Sequence, residues 1–296
     1  MAVVGAGPIE KLVTTSRPGR ALAAKFVAGD TLESAVGVAS SLNEQGFVVS
    51  FDLLGEAVTD VDSAHAAGDE YLECLDRIAA EGIEANISIK PTQLGLAIDR
   101  DLAKEAVLRL GRRAGEIGTT VTIDMEDSRY TEGTVSLFEE CQTVCGNLGI
   151  ALQSYMRRTP GDLERLIPLG GHIRLCKGAY VETHDVAFTA KSDVDRAYAE
   201  ELKTLMAAAT TRPAVATHDG PLIDLARELA GRREQPFEFQ MLYGVRPDLQ
   251  KRLVEEGFEV RVYIPFGSQW YPYLTRRLAE RPANAWFFAR ALVKRS

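Results

Sequence analysis

Long apolar runs are missing from this chain. Nothing in its 296 residues approaches the ~18 consecutive apolar residues that a membrane-spanning helix needs. Lys11 and Arg17 near the start have no apolar stretch beside them, so a secretory leader is not expected. Cysteine is scarce: Cys74, Cys141, Cys145 and Cys176 form neither a CxxC pair nor a dense framework. This points away from a disulfide scaffold or a metal site and toward reduced thiols in a cytoplasmic protein. Positive charge is in deficit, with 34 Lys and Arg against 42 Asp and Glu and a net charge of −8. A nucleic-acid partner, whose phosphates need a basic face, is therefore not expected. Among the 4 histidines, His65, His172 and His184 stand in no pattern that suggests chemistry and read as structural.

One apparent motif also fails. Val3-Val4-Gly5-Ala6-Gly7-Pro8 looks like the opening of a dinucleotide-binding fold, but position 10 is Glu where the third glycine should stand. No βαβ unit follows at the required distance, so the run is set aside.

What the chain does contain is a regular alternation. Short apolar, β-branched runs are expected as strands over Phe47–Leu54, Ala85–Lys90, Thr120–Met125, Gly149–Gln153, Gly171–Lys177, Pro213–Thr217, Phe237–Leu242 and Val260–Tyr263. Between them lie helical stretches such as Glu70–Glu81, Lys104–Ile117, Val194–Ala209 and Pro221–Glu228. Eight strands starting roughly 25–40 residues apart predict an α/β fold, a (β/α)8 barrel of TIM type, departing somewhat from the regular form. All 296 residues fit one such catalytic domain, with residues 1–26 as an N-terminal arm. Asp52, Lys90, Asp124, Gln153, Lys177, His218 and Tyr263 all fall at or just beyond strand C-terminal ends, where barrel enzymes build their sites. Cys176 is expected to point away from Arg174 and Lys177. The segment Ala285–Val293 is apolar with a helical period and is expected to pack back on the barrel.

Near the C-terminus, Tyr271-Pro-Tyr-Leu-Thr-Arg-Arg-Leu-Ala-Glu280 places Tyr273, Arg276, Arg277 and Glu280 at i, i+3, i+4 and i+7, on one helix face. Leu274 and Leu278 form a separate apolar stripe. Two adjacent guanidinium groups suit a carboxylate or phosphate bound bidentately. Taken alone, the same face also reads as a solvated surface with an ordinary ion pair. Beside it stand His172-Ile-Arg-Leu-Cys-Lys-Gly-Ala-Tyr180, Ala216-Thr-His-Asp219, Phe237-Glu-Phe-Gln-Met-Leu-Tyr-Gly244 and Arg261-Val-Tyr-Ile-Pro-Phe-Gly267.

These blocks, in this order, resemble the proline dehydrogenase family, flavoenzymes that begin proline catabolism; the chain is similar to its single-function bacterial members. The resemblance implies FAD as cofactor, since oxidising an amine at its α-type C–H bond needs an electron sink that side chains cannot supply. It implies Arg276, Arg277 and Lys90 on the proline carboxylate, Glu280 bracing an arginine, and Tyr263, Tyr273 and Leu242 around the ring, although either tyrosine would also serve as core filling. Asp124 and Arg174 are the implied catalytic pair. Arg174 either faces the flavin N5–O4 edge or pairs inward with a carboxylate such as Asp124, and Asp124 is expected to hold Tyr263 or Lys90. For the flavin the resemblance implies Met125 and Gln153 on the ring system, Lys177, Gly178 and Ala179 at the pyrophosphate, Thr217 and His218 farther along, and Tyr180 at the dimethylbenzene or substrate end. It further implies a quinone electron acceptor at the inner membrane surface, met peripherally, and hand-over of product to a separate pyrroline-5-carboxylate dehydrogenase. Two other classes fit parts of the pattern: a Schiff-base or phosphate-binding barrel enzyme of aldolase type with Lys90 or Lys177 as nucleophile, and a non-catalytic binding barrel.

Overall fold

The computed structural model describes residues 10, 14–55 and 57–279. Eight strands, β1 (Val48–Leu53), β2 (Ala85–Ile89), β3 (Val121–Ile123), β4 (Leu148–Gln153), β5 (His172–Cys176), β6 (Arg212–Ala216), β7 (Glu238–Leu242) and β8 (Val260–Phe266), pair in parallel and in chain order into a closed barrel. The helices that precede, connect and follow them are α1 (Arg17–Ala23), α2 (Leu32–Asn43), α3 (Val61–Glu81), α4 (Arg100–Glu116), α5 (Ser128–Cys145), α6 (Thr159–Leu166), α7 (Lys191–Ala207), α8 (Gly220–Ala230), α9 (Pro247–Glu255) and α10 (Tyr271–Ala279). None of the described helices is long and apolar enough to cross a membrane. The glycine run at positions 5–7 and the segment 285–293 lie outside the described residues.

Side-chain alternation along the strands explains why the barrel packs its helices and why it is polar inside. One set, including Val49, Phe51, Ile87, Ile89, Val121, Ile123, Ile150, Leu152, Ile173 and Leu175, is buried in the main hydrophobic core with the apolar residues of the surrounding helices. Each such side chain contributes about 1.5–3 kcal/mol by leaving water. The alternate set crosses the interior between strands that are not neighbours. His172 of β5 bonds Thr122 of β3, Arg174 of β5 reaches Ser88 of β2 and Gln240 of β7, and Tyr263 of β8 reaches Asp124 beyond β3. Such an interior is polar where many barrels stack Val, Ile and Leu.

Several boundaries differ from the sequence reading. The third strand is three residues long, not six, because Asp124 and Met125 already belong to the mouth of the barrel. The eighth runs on to Phe266, through a proline. Pairing with β7 ends at Leu242↔Tyr263, so the missing N–H of Pro265 removes no ladder bond, while pairing with β1 continues to Leu53↔Phe266. Helix α3 begins at Val61, nine residues before expectation, because Asp60 caps it by accepting from Ser63 N at 2.8 Å. Helix α4 begins at Arg100 behind its own cap, Asp99.

The departure from a regular barrel lies at the β8–β1 seam. There the outer helix is α2, which comes before β1 and packs on both strands. The helix after β8, α10, is thereby free to sit at the mouth. Its Trp270 flank, with Tyr273 and Leu274, buries against Ala23, Phe26 and Val27 of the arm and against Leu54. The arm is tied to the strand ends by Ala28 N–H to Pro265 O (2.8 Å) and Gly267 N–H to Gly29 O (3.0 Å).

Candidate active site

A cavity of about 560 Å3 opens at the C-terminal ends of the strands. Lys90, Asp124, Met125, Gln153, Arg174, Lys177, Gly178, Ala179, Tyr180, Thr217, His218, Leu242, Tyr263, Tyr273 and Arg277 all line it. These are all but two of the residues singled out in the sequence. Of those two, Arg276 lies in α10 beside Arg277, with its side chain outside the described residues, and Glu280 lies wholly outside them.

Asp124 organises the centre. Its backbone N–H donates to Ile89 O (2.9 Å), which fixes the residue where β3 ends. Oδ1 accepts from Ser88 Oγ (2.8 Å) and Arg174 Nη1 (2.5 Å), and Oδ2 accepts from Tyr263 Oη (2.8 Å). Burial first, and the neighbouring Asp124 and Asp52 carboxylates next, push the Tyr263 phenol far above its ordinary range, so it remains a donor. The Arg174 guanidinium stands 5.1 Å from the centre of the Tyr263 ring. Inward pairing of Arg174 with Asp124 and exposure to the cavity therefore occur together.

Lys90 is bonded to Asp52 and lies 3.9 Å from Asp124 Oδ2. Burial would lower the Lys90 ammonium, but Asp52 and Asp124 outweigh it and raise the group above its usual range. Lys90 is thus a fixed cation and a poor amine nucleophile. Glu126 steadies the turn that carries it, accepting from Thr92 N (2.9 Å) and Thr92 Oγ1 (2.5 Å). Lys177 donates to Asp195 (2.5 Å) and Asp219 (2.8 Å), carboxylates at the start of α7 and just before α8.

The wall between β4 and β5 is shaped by backbone. Gly178 has φ of +123°, and a Cβ there would stand 2.3 Å from the Tyr155 ring. Only glycine can turn the chain so close to that ring. The next residue donates from Ala179 N to Gln153 Oε1 (3.2 Å), while Gln153 Nε2 donates to Glu126 O (2.8 Å). His218 Nε2 accepts from Leu242 N–H (3.1 Å), which ties β6 to β7 at the rim. On α10, Tyr273 is buried and the Arg277 guanidinium stands 5.4 Å from the centre of its ring.

Two features correct or extend the sequence reading. Cys176 lines the cavity with Arg174, contrary to expectation, because residues two apart on a strand share a face; its thiol donates to Leu152 O (3.3 Å). Burial pushes that thiol up to about 12, so it is no ready nucleophile. Asp52, Ser88, Glu126, Asp195, Asp219 and Gln240 were given no role from sequence, yet each holds one of the cations or turns of the site. Asp52 alone carried a signal, its position at a strand end.

Several known proteins are similar to this chain. The family model described as proline dehydrogenase matches residues 35–290. Proline dehydrogenase 2 of Bacillus subtilis (strain 168) is 39% identical over 280 residues, covering 93% of this chain and 92% of that protein. Proline dehydrogenase of Deinococcus radiodurans is 38% identical, covering 92% and 90%. Among solved structures, proline utilization A (PutA) from Bdellovibrio bacteriovorus shares the fold with a TM-score of 0.82 at 24% identity, over 88% of this chain and 32% of that one. With a family model across most of its length and relatives aligned nearly end to end, the chain belongs to the proline dehydrogenase family, whose reaction is the first step of proline catabolism.

Proposed function

We propose that the cavity takes FAD and L-proline side by side, and that L-proline leaves as pyrroline-5-carboxylate while its electrons pass on to a quinone-type acceptor. The observation that carries this reading is that one cavity joins two kinds of wall: a cationic, aromatic face from α10, β2 and β8, and a rim of strand ends with turning backbone from β4 to β7. The residues present suit a flavin. Arg174 Nη2 is buried and has no hydrogen-bond partner among the described residues, as expected of a donor kept for a bound acceptor. When bound, the flavin supplies the electron sink, taking a hydride from proline C5 at N5.

The chain's own residues bind, orient and bias charge. Arg277, with Arg276 beside it in sequence and Lys90 across the mouth, holds the proline carboxylate. Tyr263, Tyr273 and Leu242 wall the pyrrolidine ring. Such orientation contributes up to ~7–11 kcal/mol of barrier reduction. Arg174 stabilises negative charge as it develops next to it, and Asp124 keeps Arg174 and Tyr263 in place. Met125 and Gln153 border the flavin ring system, Lys177 with the backbone at Gly178 and Ala179 suits the pyrophosphate, and Thr217 and His218 lie toward the remainder, with Tyr180 at the outer edge. Product is handed to a separate pyrroline-5-carboxylate dehydrogenase, and the quinone is met at the inner membrane surface.

The aldolase-type alternative asks for a neutral lysine, which the carboxylate partners of Lys90 disfavour. The spectrum of the purified protein, with and without L-proline under anaerobic conditions, tests the proposal. A flavin band that bleaches on adding proline, with FAD released on denaturation, is expected. A colourless protein would overturn it.

A further inference from the structure

The block Phe237–Gly244 contains two buried polar residues, Glu238 and Gln240, to which the proposed function gives no role. They are 3% and 4% exposed, and stand two apart on β7, so both face the barrel interior. Gln240 Oε1 accepts from Arg174 Nε at 2.5 Å, and Gln240 Nε2 donates to Glu238 Oε1 at 2.5 Å. A guanidinium can only donate and an ionised carboxylate can only accept, so the two neighbours dictate which end of the amide is which. Glu238 is gripped by Arg261 through Nε (2.7 Å) and Nη2 (3.1 Å), and Arg261 Nη1 donates to Val49 O (2.8 Å). The series therefore ends in the backbone of β1 and is anchored to the sheet. Burial alone would raise the Glu238 carboxyl, but Arg261 outweighs it and holds the group below the usual carboxylate range, which keeps it an acceptor.

Arg174 is a planar group held at two of its three nitrogens. Nη1 donates to Asp124 and Ser88, and Nε to Gln240. With Asp124 and Ser88 alone the plane could still pivot about Nη1. The contact at Nε removes that freedom and leaves Nη2 as the edge without a hydrogen-bond partner among the described residues. We propose that Gln240 is the positioning residue for Arg174: its amide ties the guanidinium to the anchored Glu238–Arg261 pair and so aims the Nη2 edge at the group that accepts electrons from proline. A charge that stabilises a transition state must be oriented before the reaction begins, and this bridge supplies the orientation. The inference rests on the flavin reading above.

Gln240→Met keeps length and approximate volume but neither hydrogen bond. On the purified holoenzyme, three quantities decide: the flavin midpoint potential, the limiting rate of anaerobic reduction by L-proline, and KM for proline. The limiting rate is expected to fall about tenfold or more and KM to stay within about twofold. The potential should fall by about 30 mV, the two-electron equivalent of a tenfold change. In an Arg174→Lys background the same substitution should change neither potential nor rate, because its effect passes through Arg174. An unchanged potential and rate in Gln240→Met would overturn the inference, as would a loss of equal size in the Arg174→Lys background. If Gln240→Met does not accumulate as folded holoenzyme, Gln240→Asn, whose shortened amide reaches one neighbour at most, is held to the same two criteria. A parent protein without flavin overturns the cofactor reading and this inference with it. A flavin-loaded parent whose potential and reduction rate are both indifferent to substitution at position 240 overturns this inference alone.

Discussion

A single nitrogen or methyl group decides much at the scale of the residue. Arg277 presents its guanidinium to the cavity from α10, and Arg277→Met keeps the aliphatic stem while removing the fork. Charge-assisted bonds are worth ~1.5–3 kcal/mol each, so kcat/KM for proline should fall about 10- to 100-fold, mostly through KM, with flavin content unchanged. Steady-state kinetics beside the flavin-to-protein absorbance ratio checks this; an unchanged KM would return Arg277 to the surface. At the other end of the barrel, His172 folds its ring over Gly149 to reach Thr122 Oγ1 (2.6 Å), and a Cβ on Gly149 would lie 2.1 Å from that ring. Burial drives the His172 imidazole down to about 3, so in place the ring is neutral at pH 7 and is held by packing and by the Thr122 bond. Gly149→Ala is therefore expected to lose about 1–3 kcal/mol, or more if the Thr122 bond breaks, read as a lower denaturation midpoint at pH 7. The ionisable residues of the mouth were legible because each interrupts an apolar strand at its end. Gln240 and Gly149 were not, since their importance comes from residues 66 and 23 positions away that only the closed barrel brings near.

Among the elements, helix α7 carries an ionisable side chain where the core would favour an apolar one. Glu201 is 4% exposed, and its Oε2 has no hydrogen-bond partner among the described residues. Burial raises its carboxyl to about 8. In the unfolded chain a glutamate ionises near ~4.3, so the folded state holds the extra proton between that value and about 8. The stability linked to this proton is fully present below the unfolded value and is lost as the pH rises toward the folded one. Glu201→Gln should thus unfold at a higher temperature than the parent at pH 8, by at least about 1 kcal/mol or roughly 2–4 °C, and the gap should close as the pH approaches 4. Calorimetry across that range is the check, and a gap of constant size would mean that Glu201 is ionised in both states. Helices read from apolar period alone begin late: α3 and α4 are extended at their starts by the caps Asp60 and Asp99, and the polar first turns behind those caps carry little apolar signal. Strand ends shift for a related reason. β8 outlasts its expected end because what ends at Tyr263 is its partner β7, a fact about pairing rather than about its own residues.

For the molecule as a whole, the barrel was legible from alternation, but the exchange of places between α2 and α10 was not. Both are amphipathic stretches of ordinary composition, and only their contacts show that α2 covers the β8–β1 seam while α10 lies at the mouth. The arm is what keeps α10 there. Phe26 is buried against Trp270, Tyr273 and Leu274, and Gly244 comes so close to Lys25 O that an added Cβ would stand 1.6 Å from it. Phe26→Ala should accordingly raise KM for proline about tenfold and leave the flavin spectrum intact, because β4, β5 and β6 contribute no residue to the arm's cluster. Kinetics paired with the absorption spectrum distinguishes this from general unfolding, in which the flavin would be lost as well. The same joint has a consequence for the order in which a newborn chain acquires its abilities. Chains emerge from the ribosome N-terminus first. The arm waits through the synthesis of all eight strands for the helix it must hold, so a nascent chain can shape the β4–β6 wall of its cavity before the α10 wall is added. The proposed carboxylate clamp is complete only once Arg277 has been made and α10 has met the arm.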